Sequence, residues 1–246
     1  MSKGISVFIP VYNSSSFIED SLHNIYQYLS EHFDLFELVI VDDNSSDDTA
    51  SIIQLFAQKN LYVNIFSNTN GPSRRENLGK AMNHARFEIT IYFDADISVP
   101  LKHVLPAYKK IYEDGFDITI GSRYKGIHAV RSLERLMYSK IFNHFLRLFF
   151  NSKIHDHICG FKIFKTKYYR NLYAEIGYDQ TYTRGWFWDA ELLITAQKYK
   201  YRVYEMPVEW FAAKESTFNL RRESKMIAYI LKKYRKLIKS PVSVSP

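Results

Sequence analysis

The chain has one cysteine, Cys159, in 246 residues, so it can form no internal disulfide and suits a reducing compartment. Nine glycines and seven prolines are too few for collagen or for a low-complexity chain. No run of about 18 apolar residues could cross a bilayer as a helix. Met1-Ser2-Lys3-Gly4 leads straight into an apolar strand pattern without a signal-peptide core. These absences predict a cytoplasmic protein, attached to a membrane only peripherally or through a membrane-anchored partner. What is present is 46% hydrophobic and 24% charged residues, enough for one substantial core or two small ones.

The 33 basic and 26 acidic residues give a formal charge of +7, and its placement matters more than its size. Arg221, Arg222, Lys225, Lys232, Lys233, Arg235, Lys236 and Lys239 face one acid, Glu223, and outside that segment the two signs balance. A basic tail on a neutral body points to an anionic surface met by the tail and excludes a nucleic-acid-binding body. Within the tail, Leu220, Ile227, Ile230, Leu231, Tyr234, Leu237 and Ile238 recur at helical spacing. The pattern reads either as an interfacial helix drawn to anionic lipid or as a terminal helix packed on the domain.

Apolar runs at Ile5–Pro10, Leu38–Val41, Tyr62–Phe66, Ile89–Phe93 and Ile118–Ile120 alternate with helix-length amphipathic stretches. Short, fully apolar strands between helices predict a mainly parallel sheet covered on both faces, with ligand-binding loops at the strand carboxyl ends. After Gly121 the rhythm lengthens into helices over about Val130–Phe150, Lys167–Glu175, Trp186–Tyr199 and Arg222–Lys239, with a strand near Val203–Val208. No linker or repeat interrupts it. The expected organisation is one α/β domain over 1–219, with halves 1–121 and 122–219, followed by a basic amphipathic tail over 220–246.

Asp94-Ala95-Asp96 ends a strand too apolar to lie anywhere but inside. Two carboxylates there suit Mg²⁺ or Mn²⁺ bridging to a diphosphate, or else a cap for a helix starting near Pro100. In Asp42-Asp43-Asn44-Ser45-Ser46-Asp47-Asp48-Thr49 the later members read as a helix N-terminus with favourable acids. Asp42 and Asp43, at the strand edge, are placed to accept hydrogen bonds from a base or ribose.

These segments in order, Pro10-Val11-Tyr12-Asn13, Val41-Asp42-Asp43-Asn44-Ser45, Gly71-Pro72-Ser73 through Asn77-Leu78-Gly79, and Asp94-Ala95-Asp96, resemble the nucleotide-sugar half of family 2 glycosyltransferases of the GT-A fold. Asp96-Ile97-Ser98, Gly121-Ser122-Arg123-Tyr124, Asp156 with Cys159-Gly160-Phe161-Lys162, Trp188-Asp189-Ala190-Glu191 and Glu205-Met206-Pro207-Val208-Glu209-Trp210 are similar to polyprenyl (dolichyl) phosphate hexose synthases, over about residues 4 to 226. The resemblance implies that Pro10, Tyr12, Asn13, Asp43, Gly71 and Arg75 bind the nucleotide, and that Asp94, Asp96 and Ser98 serve the metal and diphosphate. Ser98 replaces the Gln of many relatives and matches the mannose-type members. Glu76 replaces an Arg common in the family, a departure that bears on base recognition.

Arg135 and Ser139 share one stripe of the helix from Val130 with Arg131, while Val130, Leu133, Met137, Ile141, Phe145 and Leu148 form another. The first stripe reads either as the solvated basic face of an ordinary amphipathic helix or, because the family motif matches Arg135 and Ser139 at the same four-residue separation with Arg123 upstream, as what the resemblance implies: a guanidinium fork on an acceptor phosphate, formed by Arg123, Arg135 and Ser139, with the apolar stripe at lipid. The resemblance adds Asp156 as a wall of that pocket and Lys214 on the diphosphate. His155-Asp156-His157 lacks a second ligand cluster and does not predict zinc.

The implied reaction is an inverting transfer of a hexose from a nucleoside diphosphate sugar, GDP-mannose before UDP-glucose, to a polyprenyl or dolichyl phosphate at a membrane surface. A phosphate monoester is largely dianionic at neutral pH and needs no base, whereas a sugar hydroxyl does. Asp189 and Glu191, flanking Ala190 on the helix from Trp186, are the candidates for that base. Asp189, nearest the position of the family's catalytic acid, is expected to orient the acceptor or act as the base, with Asp96 and Arg123 in the catalytic group. The alternatives are a glycosyltransferase acting on a sugar hydroxyl and a non-catalytic nucleotide-binding membrane adaptor.

Overall fold

The computed structural model describes residues 4–73, 75–125, 129–130, 133–211 and 226–234, with side chains omitted at 129–130 and 133–135. Its elements follow the predicted alternation: β1 (Gly4–Val11), α1 (Ile18–His32), β2 (Leu35–Asp42), α2 (Thr49–Lys59), β3 (Val63–Ser67), α3 (Glu76–Met82), β4 (Ile89–Phe93), α4 (Val104–Tyr112) and β5 (Ile118–Ser122). A 3-10 turn, Leu101–His103, precedes α4 where the sequence places a helix start. Next come β6 (Ala129–Val130), α5 (Leu133–Phe150), β7 (Phe161–Lys165), α6 (Thr166–Ile176), α7 (Phe187–Lys198), β8 (Val203–Pro207) and β9 (Trp210–Phe211). Residues 226–234 are helical, and the rest of the predicted tail lies outside the described residues.

Seven strands form one sheet in the order β3-β2-β1-β4-β7-β5-β8. All neighbours are parallel except β7, which runs antiparallel to both β4 and β5. The period of two along each strand sends alternate side chains to opposite faces. Ile5, Val7 and Ile9 of β1 join α1, α2 and α4 in one core, while Phe8 joins α3, α6 and α7 in the other. Both faces are therefore covered, which is why the strands read as unbroken apolar runs instead of alternating ones.

The direction of strand addition reverses between β1 and β4, because β2 and β3 extend to one side and β4 to the other. A crevice outside the carboxyl ends of the strands opens at such a switch point. Phe8 pairs with Tyr92, so the residues following β1 and β4 emerge level with one another. Pro10 to Asn13 and Asp94 to Asp96 are thus delivered to the same edge.

The apolar stripe read along α5 does not face the core. Met137, Ile141 and Leu148 are exposed, Leu148 by 73%, whereas Ser139, Asn143, Leu146 and Phe150 turn inward. Leu146 and Phe150 join Phe187, Ala190 and Ile194 of α7 with Met226 and Ile230 in a third apolar cluster. The helical segment 226–234 is packed on the domain through that cluster and keeps Ile227 and Leu231 outward.

Candidate active site

The loops after β1 and β2 are tied together before any ligand enters. Asn13, in the left-handed region at φ +48°, accepts the Ser46 backbone N–H on Oδ1 at 2.8 Å, and its own N–H donates to Ser45 Oγ. An asparagine tolerates this conformation better than most side chains. Asp42 accepts from Ser45, closing the turn. Asp43 is 8% exposed and turns to the segment before α3, accepting the Ser73 N–H, the Ser73 hydroxyl and Asn77 Nδ2 at 2.8, 2.7 and 2.6 Å. At Gly71 a Cβ would overlap the Asp43 carbonyl oxygen, so glycine is needed for this close approach. Tyr12 stands 43% exposed and Pro10, in β1, is half-buried.

Asp94 and Asp96 follow β4. The two are not equivalent: Asp94 accepts Arg75 Nη2 at 2.7 Å, while Asp96 accepts the Ser98 backbone N–H and hydroxyl. Burial first, and then the neighbouring Asp94 charge, raise the Asp96 carboxyl above its ordinary value. Ile97, which follows Asp96, sits at φ +51°, a conformation that costs a β-branched residue energy. Gly160, which precedes β7, packs so closely that a Cβ there would overlap the Asp94 carboxylate. Among the described residues no group of three or more His, Cys, Asp or Glu is arranged to hold a metal ion. Two hard carboxylates that repel one another still fit Mg²⁺ or Mn²⁺, which fill their remaining positions with phosphate oxygens and water.

Behind this edge lies an ion cluster that the sequence does not announce. Asp189 of α7, 2% exposed, accepts the Lys162 ammonium at 2.7 Å and the Tyr92 hydroxyl, and lies 3.5 Å from Arg75 Nε. Burial pushes the Asp189 carboxyl up, but Lys162 and Arg75 outweigh it and leave the group below its ordinary value. Lys162 is fully buried and also donates to the Cys159 carbonyl. Its one sequence signal is a cation inside the apolar run Phe161-Lys162-Ile163-Phe164.

The expected acceptor residues form a second cluster. Arg123 donates its backbone N–H, Nε and Nη2 to Asp156, the side-chain bonds at 2.7 and 2.6 Å. The fork expected on a phosphate thus rests on a carboxylate, and Arg123 and Asp156 act as one buried unit. Ser139 pairs with the Tyr124 hydroxyl, which also receives Asn143 Nδ2. Glu205 of β8, unassigned from the sequence, accepts the backbone N–H groups of His155 and Asp156, the His155 ring and Lys125. Cys159 links the clusters: it lies in the fields of Asp156, Arg123, Lys162 and Asp94, and burial pushes its thiol up to about 12. The Arg135 side chain and all of Lys214 lie outside the described residues.

An open cleft of about 660 Å³ runs from Tyr124 along α5, past Asn143, Phe145 and His155 to Ile141 and Leu148. Glu76, whose departure from the family pattern bears on base recognition, faces away from this edge and is 1% exposed against Arg184.

Comparison with known proteins agrees with this arrangement. The chain is 29% identical over 222 residues to glycosyltransferase AglD of Haloferax volcanii, a match covering 89% of the chain and 35% of that protein, so it spans about a third of that relative's length. It is 27% identical over 264 residues to the dolichyl-phosphate beta-glucosyltransferase of Saccharomyces cerevisiae, covering 94% and 76% respectively. Glucosyl-3-phosphoglycerate synthase from Mycobacterium tuberculosis with uridine-diphosphate shares the fold at TM-score 0.65 and 17% identity, over 98% of the chain and 82% of that protein. The mannosyltransferase PcManGT from Pyrobaculum calidifontis with GDP-Man and Mn²⁺ does so at 0.60 and 20%, over 98% and 66%. The family model for glycosyl transferase family 2 matches residues 6–173, and the chain belongs to that family.

Proposed function

We propose that the chain transfers a hexose from a nucleoside diphosphate sugar to a polyprenyl or dolichyl phosphate at a membrane surface. One observation carries the choice of acceptor. Asp189, the residue placed for a base, has its oxygens engaged by Lys162, Tyr92 and Arg75 inside the protein, and its proton affinity is lowered. It can orient and fix charge, but it is poorly fitted to take a proton from a hydroxyl. A phosphate monoester needs no such base, only orientation and charge screening. The exposed apolar side of α5, beside Tyr124 and Ser139, offers a lipid chain somewhere to lie. Dolichyl-phosphate relatives support the same reading.

In this reading Pro10, Tyr12, Asn13, Asp43 and Gly71 shape the nucleotide pocket, and Arg75 sits at its inner wall. Asp94 and Asp96, steadied by Ser98, would hold Mg²⁺ or Mn²⁺, which neutralises the departing diphosphate when bound. On the acceptor side Arg123 and Asp156 form one buried ion pair that orients the phosphate beside Ser139, while the Arg135 side chain, expected there, and Lys214, expected on the diphosphate, lie outside the described residues. Asp96-Ile97-Ser98 favours mannose, whereas the dolichyl-phosphate relatives are named as glucosyltransferases, which strengthens UDP-glucose as donor. Among the described residues no helix is long and apolar enough to cross a membrane, and the proposed attachment is peripheral, at the cytoplasmic face.

The test is nucleotide release from GDP-mannose, UDP-glucose and UDP-GlcNAc with Mn²⁺ or Mg²⁺, with and without a short-chain polyprenyl phosphate. Release that requires both the lipid phosphate and the metal is expected, and the active donor names the sugar. Release with a soluble sugar in place of the lipid would move the acceptor to a hydroxyl, and no release from any donor would leave a nucleotide-binding adaptor.

A further inference from the structure

Arg184, fully buried, forks onto Glu76 of α3, with Nε to Oε1 at 2.8 Å and Nη2 to Oε2 at 2.6 Å. Nη1 reaches Glu191 Oε2 of α7 at 3.0 Å, and Nη2 also donates to the Gly177 carbonyl. Glu76 and Glu191 are each 1% exposed. These three groups carry a net charge of −1 where water cannot screen it, and an uncompensated buried charge is costly. Asp179, at the partly wet edge of the cluster, has its own oxygens taken by Thr181, Thr183 and the Arg184 backbone. The compensating cation comes from the C-terminal helical segment. Lys233 Nζ lies 3.5 Å from Glu191 Oε1, and Tyr229 donates its hydroxyl to Oε2 at 3.0 Å. Lys233 and Arg184 also stand over the Tyr229 ring, 5.4 and 5.7 Å from its centre.

This cluster holds the donor edge from behind. Glu76 lies between Arg75, which bonds Asp94, and Asn77, which bonds Asp43. Glu191 is two residues beyond Asp189 on α7. Glu76 thus neighbours residues that bond Asp94 and Asp43, and Glu191 neighbours Asp189, which lies 3.5 Å from the same Arg75.

We propose that Lys233 and Tyr229 are positioning residues for the donor site: seated, Lys233 neutralises the net charge of Glu76, Arg184 and Glu191 while the Tyr229 hydroxyl holds Glu191, which locks α3 against α7 and so couples the C-terminal helix to nucleotide binding. The proposal rests on the donor-site reading above. Such coupling is reciprocal, so a bound nucleoside diphosphate tightens the helix on its seat by the same factor as the seated helix tightens the nucleotide.

The test uses the full chain, with UDP and GDP each titrated calorimetrically in Mn²⁺, and Lys233, which is partly exposed, as the substitution site. Lys233→Met should weaken nucleotide binding by about fivefold or more. Adding Glu191→Gln returns the buried groups to zero net charge and should restore binding to within about twofold of the unsubstituted protein. Nucleotide should also slow tryptic cleavage within Arg221–Lys239 in the unsubstituted protein and not in Lys233→Met. If Lys233→Met only melts earlier and binds nucleotide normally, the lysine is structural and the coupling is wrong. A double variant weaker than the single would overturn the charge-balance argument and the proposal with it. If the unsubstituted protein binds neither nucleotide, the donor-site reading itself fails and the proposal falls with it, an outcome told apart by the first titration.

Discussion

The carboxyl edge of β1, β2 and β4 and the outer side of α5 sit on one domain and are built on opposite terms. At the first, nearly every polar side chain is already bonded to another: Asp43 to Ser73 and Asn77, Asp94 to Arg75, Asp189 to Lys162 and Tyr92. At the second, Met137, Ile141 and Leu148 lie open beside a cleft. The contrast matches the chemistry proposed for each side. A diphosphate needs charges and dipoles fixed in advance, because reorganising them during the reaction costs rate. An isoprenoid chain asks only for apolar area, which need not be specific.

The largest effect that would sharpen this contrast is at Asp189. Asp189→Asn leaves the buried Lys162 ammonium without its carboxylate, and a loss of roughly 3–5 kcal/mol is expected from urea denaturation. A loss under about 1 kcal/mol would mean the edge is far less dependent on its charges than the geometry says.

His157, below α5, gives the next effect. It lies fully buried between Asn143 and Ser152, and burial lowers its pKa from 6.5 to about 4. The folded ring therefore stays neutral while the unfolded chain takes up a proton below pH 6.5. Stability from this group is present above pH 6.5 and is lost as the pH falls towards 4, by up to roughly 3 kcal/mol. Urea midpoints measured across that window should show the slope, and His157→Gln should flatten it.

The smallest effect on stability is expected at the open side. Ile141→Ser with Leu148→Ser should change unfolding energy by no more than about 0.5 kcal/mol. The same pair should cost roughly 1–2 kcal/mol in partition onto vesicles carrying a polyprenyl phosphate. Unchanged flotation would separate α5 from any lipid.

The first five strands and β8 were legible because apolar runs such as Ile89–Phe93 need only local burial to explain them, and that run matches β4 residue for residue, whereas β6, β7 and β9 were not read as strands. The carboxylates at their ends were legible for the same reason, as charges that have no place in a core. What the sequence hid depends on partners far apart in the chain. Glu76 and Arg184 are 108 residues apart, and each alone reads as an ordinary surface charge. Lys162 stood in an apolar run, yet its partner Asp189 is 27 residues on. Arg123 read as a free phosphate ligand because nothing local reveals its carboxylate, Asp156. The reversed direction of β7 was equally hidden, since strand direction is set by pairing and not by composition.

That reversed strand sets the order in which the molecule can be built. β4 and β5 flank a gap that only Phe161–Lys165 fills, with Ile89 pairing to Lys165 across most of the intervening chain. A ribosome releasing residues 1–121 has supplied every carboxylate at the edge except Asp189, yet two of its strands still lack the neighbour between them. Contacts this distant in sequence are closed late and slowly. The first half of the chain is therefore not a separable module, and Asp94 meets Gly160 only once that central strand has been inserted.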